Sequence, residues 1–409
     1  ASMSRSTDLI HHPYQPPAEF EAPQVGVFKA STVIFPNVAA MRTREWLDKS
    51  AYTYGLHGTP TTFTLEERIA SLEGGTHCIL TPSGLAAIAH VDFALLKTGD
   101  EVLIPDNAYA PNKLLAEGEL ARFGITHQFY DAMNPLDLAA RITPHTRLVW
   151  LEAAGSVTME FPDLPALVRI CRDQGVLCAL DNTWGAGLAF NAFDLEPGQG
   201  TAPLGVDLTI HALTKYPSGG GDVLMGSIVT RSDELARVLK LSHMRLGTGV
   251  AANDAEAVLR ALPSLPLRYK AQDQAARRLA AWCALQAPFA QVLHPAWTDA
   301  PGHDHWKNLC VRADEPQGLA AGIFSVVMDE CFTAAQVDAF CDALQLFKIG
   351  YSWGGPMSLV VPYSMTSSRA LATPHLKSGR VVRLCIGLED VSDLQNDIAR
   401  ALRVANLQT

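Results

Sequence analysis

The stretch EVLIPDNAYAPNKLLAEGELARFGITHQFYD, residues 101–131, decides the fold class. EVLIPD and ITHQFYD are apolar runs of strand length, and YAPNKLLAEGELARFG between them has the spacing of a helix. Strand, helix and strand in about 30 residues make one β-α-β unit. The pattern extends both ways. Upstream, FTLEERIASLEGG predicts a helix leaving at paired glycines, and CILTPSGLAAIAHVDFALL predicts a strand, a turn and an alanine-rich helix. Downstream come helix PLDLAARI, strand TRLVWLEA, helix LPALVRICRDQG, strand VLCALDN and, after HALTKY, strand DVLMGSIVT. Strands with little polar alternation between helices predict an α/β fold with a parallel sheet covered on both faces.

Three regions follow. Residues 1–60 hold scattered prolines and little periodicity, so they predict an arm that lies on another surface, such as a neighbouring subunit. Residues 61–260 form the large domain. Residues 261–409 begin with a long linking helix, interrupted at Pro263 and Pro266, and continue as a small C-terminal α/β domain built from IFSVVMD, TAAQVDAFCDAL, LFKIGYS, SLVVP and VVRLCIGLED.

Composition narrows the partners. The 409 residues carry a net charge of -10 and no basic tract longer than two residues, which argues against nucleic acid. A charged fraction of 18% leaves room for subunit contacts. The eight cysteines are scattered, several in apolar runs, without the paired spacings of a metal site, and they suit a reducing compartment. No apolar run is long enough to span a bilayer, and the N-terminal stretch has no hydrophobic signal core. A cytoplasmic location is expected.

Four places carry candidate chemistry. TPSGLAA, 81–87, is a small-residue turn entering a helix. Such a turn frees the amides of Gly84 and Leu85 for a phosphate, with the Ser83 hydroxyl beside them, or it is an ordinary helix cap. Tyr109 follows a strand end, where a ring stacks on a flat heterocycle or simply packs. Asp181 ends a strand and needs a partner for its charge, whether a protonated pyridine nitrogen, magnesium or the start of a helix. Lys215 follows an apolar run, with Thr214 able to offer a hydroxyl, and is either a surface amine or a covalent anchor. Together the four supply what pyridoxal phosphate requires: a phosphate cradle, a ring platform, a ring-nitrogen partner and a Schiff-base lysine. Neither G-x-G-x-x-G after an early strand nor G-x-x-x-x-G-K-[ST] is present, which disfavours a nucleotide site.

The segments YGLHGTPTTFTLE, LEGG, TPSG, DNAYAPN, GSVTMEFPDLPAL, DNTWGAG, TKY, YSWGG and RLCIGLED resemble the Cys/Met-metabolism family of fold-type I pyridoxal-phosphate enzymes, from about residue 25 to 400. YSWGG, where relatives acting at the γ carbon have Ser-Leu-Gly-Gly, and Ala110-Pro111 after the tyrosine are similar to the branch that cleaves at the β carbon. The resemblance implies a transferase-like large domain with a smaller C-terminal one, and pyridoxal 5'-phosphate as cofactor. It implies the α,β-elimination of L-cystathionine to homocysteine, pyruvate and ammonia, with a broader cysteine-S-conjugate or cystine β-lyase, or a non-catalytic regulatory protein, as alternatives. By the same resemblance Lys215 is the Schiff-base lysine, Tyr109 stacks and aids proton transfer, and Asp181 pairs with the ring nitrogen. Gly84, Leu85 and Thr214 hold the phosphate, Arg383 and Ser352 bind the substrate carboxylate, and Tyr351 and Trp353 shape the pocket. Tyr54 reaches the phosphate of a neighbouring subunit, which makes a dimer the minimum unit and a tetramer the usual assembly.

Three departures stand out. Leu56 occupies the position of the family's phosphate-binding arginine, which implies weaker cofactor retention unless His57, backbone amides or another group substitutes. Glu152-Ala153-Ala154 replaces Glu-Ser-Pro, and Gly355-Pro356-Met357-Ser358 replaces a segment ending Glu-Ser. Both changes are expected at the pocket wall or at the substrate's distal end.

Overall fold

The arm contains more local structure than its prolines suggest. In the computed structural model, which describes residues 3–200 and 202–407, α1 (Arg5–His11) and α2 (Val38–Thr43) are short helices. Ser4 and Asn37 cap them by accepting the N–H groups of Thr7 and Ala40. Ala1 and Ser2, at the start of the expected arm, lie outside the described residues, as do Thr201, Gln408 and Thr409.

Helix α3 (Pro60–Glu73) starts before the FTLEERIASLEGG run. Thr59 and Thr62 form a reciprocal cap, Pro60 supplies the first-turn φ, and Gly74 ends the helix in the left-handed region at φ 83°. The first sheet follows: β1 (His77–Thr81), β2 (Glu101–Pro105), β3 (Thr126–Tyr130), β4 (Thr146–Glu152), β5 (Leu177–Asp181), β6 (Leu208–Ala212) and β7 (Gly226–Thr230). Their order is β1-β7-β6-β5-β4-β2-β3. Contrary to the all-parallel expectation, β7 runs antiparallel to both β1 and β6. A parallel return needs a crossover helix, and the loop 213–225 between β6 and β7 has none.

Helices α4 (Gly84–Leu95), α5 (Ala110–Leu115), α6 (Pro135–Arg141), α7 (Leu164–Asp173), α8 (Asp233–Leu246) and α9 (Ala252–Ala261) surround this sheet. The residues of α4 and α8 cover one face, and those of α3, α7 and α9 cover the other. The helical stretch is interrupted at Pro263, as expected, and Pro266 opens its second part. α9 ends at Ala261, a short turn holds Pro263, and α10 (Leu265–Cys283) opens with Pro266 in its first turn.

The second sheet has the order β10-β11-β12-β9-β8, from β8 (Phe289–Leu293), β9 (Ile323–Met328), β10 (Lys348–Ile349), β11 (Leu359–Tyr363) and β12 (Val381–Cys385). α11 (His303–Cys310) precedes β9; α12 (Ala334–Ala343) and α13 (Val391–Val404) pack with α10 on one face. Strand periodicity splits β12. Val382 and Leu384 face those helices, while Val381 and Cys385 join the core of the large sheet. Arg383 shares the second face. Among the described residues no helix is long and apolar enough to cross a membrane.

One buried acid gives the fold a pH dependence. Asp92, on α4, is fully buried; its Oδ1 accepts Trp150 Nε1–H at 3.0 Å, and Oδ2 has no partner among the described residues. Burial pushes this carboxyl up to about 7. Between the unfolded and folded values the native chain holds a proton that the unfolded chain has released, so stability falls as pH rises from about 4 to about 7. Asp92→Asn is expected to flatten that slope and to leave the apoprotein more stable above pH 7 by about 2 kcal/mol. Thermal unfolding midpoints of both forms across that range check it; equal slopes would contradict it.

Candidate active site

The chemistry-bearing residues collect at the carboxyl ends of β4, β5 and β6, where open α/β sheets bind ligands. α4 starts there. Its first residue is Gly84, where a Cβ would stand 2.6 Å from Ala212 Cβ, so only a bare residue lets the helix seat on the end of β6. Ser83 Oγ accepts Ala86 N–H at 3.0 Å, and the first two helical amides, of Gly84 and Leu85, have no intrahelical acceptor.

Lys215 lies three residues beyond β6. Its Nζ donates to Ser352 Oγ at 2.8 Å and sits 5.3 Å from the centre of the Trp353 ring. The 352–354 segment rides directly on the lysine's backbone. Gly354 has φ 88°, and a Cβ there would stand 2.7 Å from Tyr216 N. Ser352 is held at φ 96°, a costly backbone for a residue with a side chain. Burial, then the nearby Arg383 guanidinium, lowers the lysine to about 8.

Asp181 is the last residue of β5. Thr183 donates to its Oδ1 through the hydroxyl at 2.7 Å and through the backbone at 3.2 Å, while burial raises its pKa despite those bonds. Its Oδ2 is left without a bonding partner among the described residues. Tyr109 begins α5, and its N–H donates to Glu152 Oε2 at 2.8 Å. Glu152 and Asp181 stand opposite each other in the register of β4 and β5. Burial, then Asp181, holds the Glu152 carboxyl well above its usual range.

Arg383 is 8% exposed, forms no ion pair among the described residues, and has an Nε without a partner. Its guanidinium carbon stands 5.5 Å from the centre of the Tyr363 ring. A buried arginine whose fork is unfilled is a built receptor for a planar anion.

Other expected site residues sit differently. Thr214 Oγ1 both donates to Met225 O at 3.3 Å and accepts Met225 N–H at 3.2 Å. Tyr351 is 80% exposed. Tyr54 lies in the arm, its hydroxyl 3.5 Å from Ser31 Oγ and its ring edge-on to His57. Leu56 packs at Gly249, and the His57 ring is taken up by Trp46 at 4.6 Å.

The two altered segments divide between buried and exposed positions. Ala153 and Ala154 are buried in the large core, and Ser358 is buried with both its N–H and its hydroxyl donating to Glu389. Pro356 and Met357 of the second segment are exposed. Tyr363 received no site role from the sequence, and Glu152 received one only as part of the segment expected at the pocket wall. Period-two alternation from Val361, the register partner of Arg383, points to Tyr363, and Glu152 ends its strand just as Asp181 does.

These groups fit pyridoxal phosphate: free helix-end amides for the phosphate, an open carboxylate oxygen for a protonated ring nitrogen, and an amine of lowered pKa. Only the neutral amine attacks an aldehyde. Covalent uptake of the cofactor by the apoprotein is therefore expected to speed up as pH rises, with a midpoint at about 8. Arg383→Leu should move that midpoint upward. Stopped-flow absorbance across pH checks both; an unchanged midpoint in the variant would contradict the assigned cause.

The comparisons agree with this geometry. The family model described as Cys/Met metabolism PLP-dependent enzyme matches residues 6–403. The cystathionine beta-lyase of Bordetella avium is 35% identical over 404 residues, covering 96% of each chain. The L-alanine/L-glutamate racemase of Wolbachia pipientis wMel is 31% identical over 351 residues, covering 86% of this chain and 82% of the relative. The crystal structure of metB from Corynebacterium glutamicum superposes with a TM-score of 0.86 at 24% identity, over 100% of this chain and 99% of that one, and so shares the fold. The chain belongs to the Cys/Met metabolism family of PLP-dependent enzymes, and its cofactor is pyridoxal 5'-phosphate.

Proposed function

We propose that this protein is a carbon-sulfur β-lyase that splits L-cystathionine into homocysteine, pyruvate and ammonia. Bound pyridoxal phosphate supplies the sink for the electron pair left on the α carbon. The chain's residues do the rest. Arg383 takes the α-carboxylate on its unfilled fork, helped by Ser352, and so fixes the α C–H bond relative to Lys215. Lys215 Nζ, lowered to about 8, accepts the α proton. Asp181 Oδ2 keeps a proton on the ring nitrogen, Tyr109 covers the ring, and Gly84 and Leu85 hold the phosphate, joined by the Thr214 hydroxyl once it turns from Met225 O. The carbon-sulfur bond then breaks with its electron pair on sulfur, and water completes the release of pyruvate and ammonia.

The carrying observation is the unpaired, buried Arg383 acting on Lys215. The name borne by the Bordetella avium relative supports β-elimination. The racemase relative marks the competing outcome, in which the α proton returns and no bond to sulfur breaks. Purified protein with L-cystathionine should release thiol and pyruvate in equal amounts. Exchange of the α proton without thiol release would overturn the reading. The broader lyase alternative rests on Pro356 and Met357, which are exposed, while Ala153, Ala154 and Ser358 are buried. We also place Tyr54 against the cofactor phosphate of a second subunit in a dimer or tetramer. Exposed arm residues such as Phe20, Ile34 and Val38 supply an apolar face for that contact. The free cysteines suit a cytoplasmic location.

A further inference from the structure

Glu73, the last residue of α3, is 1% exposed and accepts three side-chain donors. They are His211 Nδ1 at 2.9 Å, Asn182 Nδ2 at 3.3 Å and the Thr209 hydroxyl. Thr209 and His211 are alternate residues of β6, and Asn182 follows Asp181. One carboxylate therefore joins the two strand ends that carry Asp181 and lead to Lys215.

The backbone makes the same link from the other side. Asn182 N–H donates to Ile210 O at 2.9 Å, and Ala212 N–H donates to Thr183 Oγ1 at 3.0 Å. That hydroxyl in turn donates to Asp181 Oδ1 at 2.7 Å. Both chain neighbours of His211 are thus bonded to the segment that holds Asp181. His211 itself is 0% exposed, and its Nε2 has no partner among the described residues. A buried imidazole with one nitrogen unfilled is costly where packing alone is needed, because an apolar residue would serve. The charged groups that face this pair or Asp181 include Arg5 from α1, Glu152 at the end of β4, and Lys215.

We propose that Glu73 and His211 are positioning residues for the cofactor, setting Asp181 against its ring nitrogen through the ends of β5 and β6. The inference rests on the cofactor assignment and not on the lyase reading. Its test is the holoprotein's visible spectrum across pH together with its affinity for pyridoxal phosphate, neither of which needs turnover.

His211→Ala is expected to weaken cofactor affinity about 10-fold or more and to shift the pH midpoint of the visible band. His211→Asn, which keeps a donor near the Nδ1 position, should recover much of both. Should His211→Ala fail to fold, Glu73→Gln is read in the same way. A variant that loses thermal stability while keeping the parent's affinity and spectral midpoint would overturn the proposal. A parent with a normal spectrum and no lyase activity would count against the lyase reading alone.

Discussion

Lys215→Ala is expected to lower turnover of cystathionine at least about 10,000-fold and to abolish the visible band that depends on a lysine-bound cofactor. Two losses combine. On the proposed mechanism the variant lacks the amine that joins the cofactor and also the base that takes the α proton. Ser352 and Trp353, which hold Nζ by a 2.8 Å hydrogen bond and by the face of an indole, supply no base in its place. Added methylamine, a small exogenous amine, should restore part of the activity without changing the affinity for substrate. Turnover within tenfold of the parent would mean that another group does the proton transfer.

Arg383→Leu should produce opposite effects on activity and stability. In the substrate-free chain the guanidinium is buried without a counter-ion, an arrangement that a hydrophobic residue of similar size improves. The apoprotein is therefore expected to gain about 1 to 4 kcal/mol of stability. With substrate, the same change removes the partner of a buried carboxylate. kcat/KM should fall by about 30-fold to about 5,000-fold, equivalent to about 2 to 5 kcal/mol. Denaturant unfolding of the apoprotein and steady-state kinetics of the holoprotein measure the two limbs. A variant that lost both activity and stability would show that Arg383 has an internal partner and is a structural residue.

Much of the architecture was legible because each element carries its own signal. Apolar runs gave β2, β4 and β5, and LEGG marked the end of α3, where Gly74 takes the left-handed conformation. The antiparallel sense of β7 was missed because hydrophobic periodicity marks a strand without giving its direction. The missing crossover helix between β6 and β7 was the available clue. Pro263 read as a break because proline disrupts a helix interior, and it does separate α9 from α10, whereas Pro266, in a first turn, starts α10.

The candidate site was legible where a residue type is unusual for its place. Asp181 ends an apolar strand, and Lys215 follows one. The Glu73 and His211 pair was not legible, since it joins residues 138 apart in the chain and neither breaks a local rule. Nor could sequence show that Ser358 turns to Glu389, because its orientation depends on the pairing of β11 with β12 and the return of the chain after it.

Borohydride reduction of the holoprotein, followed by peptide mass mapping, tests the central claim most directly. The account requires the reduced pyridoxyl group on Lys215 alone, in a peptide containing His211 through Tyr216. A label on any other lysine, or no label on a protein that binds the cofactor, would contradict it.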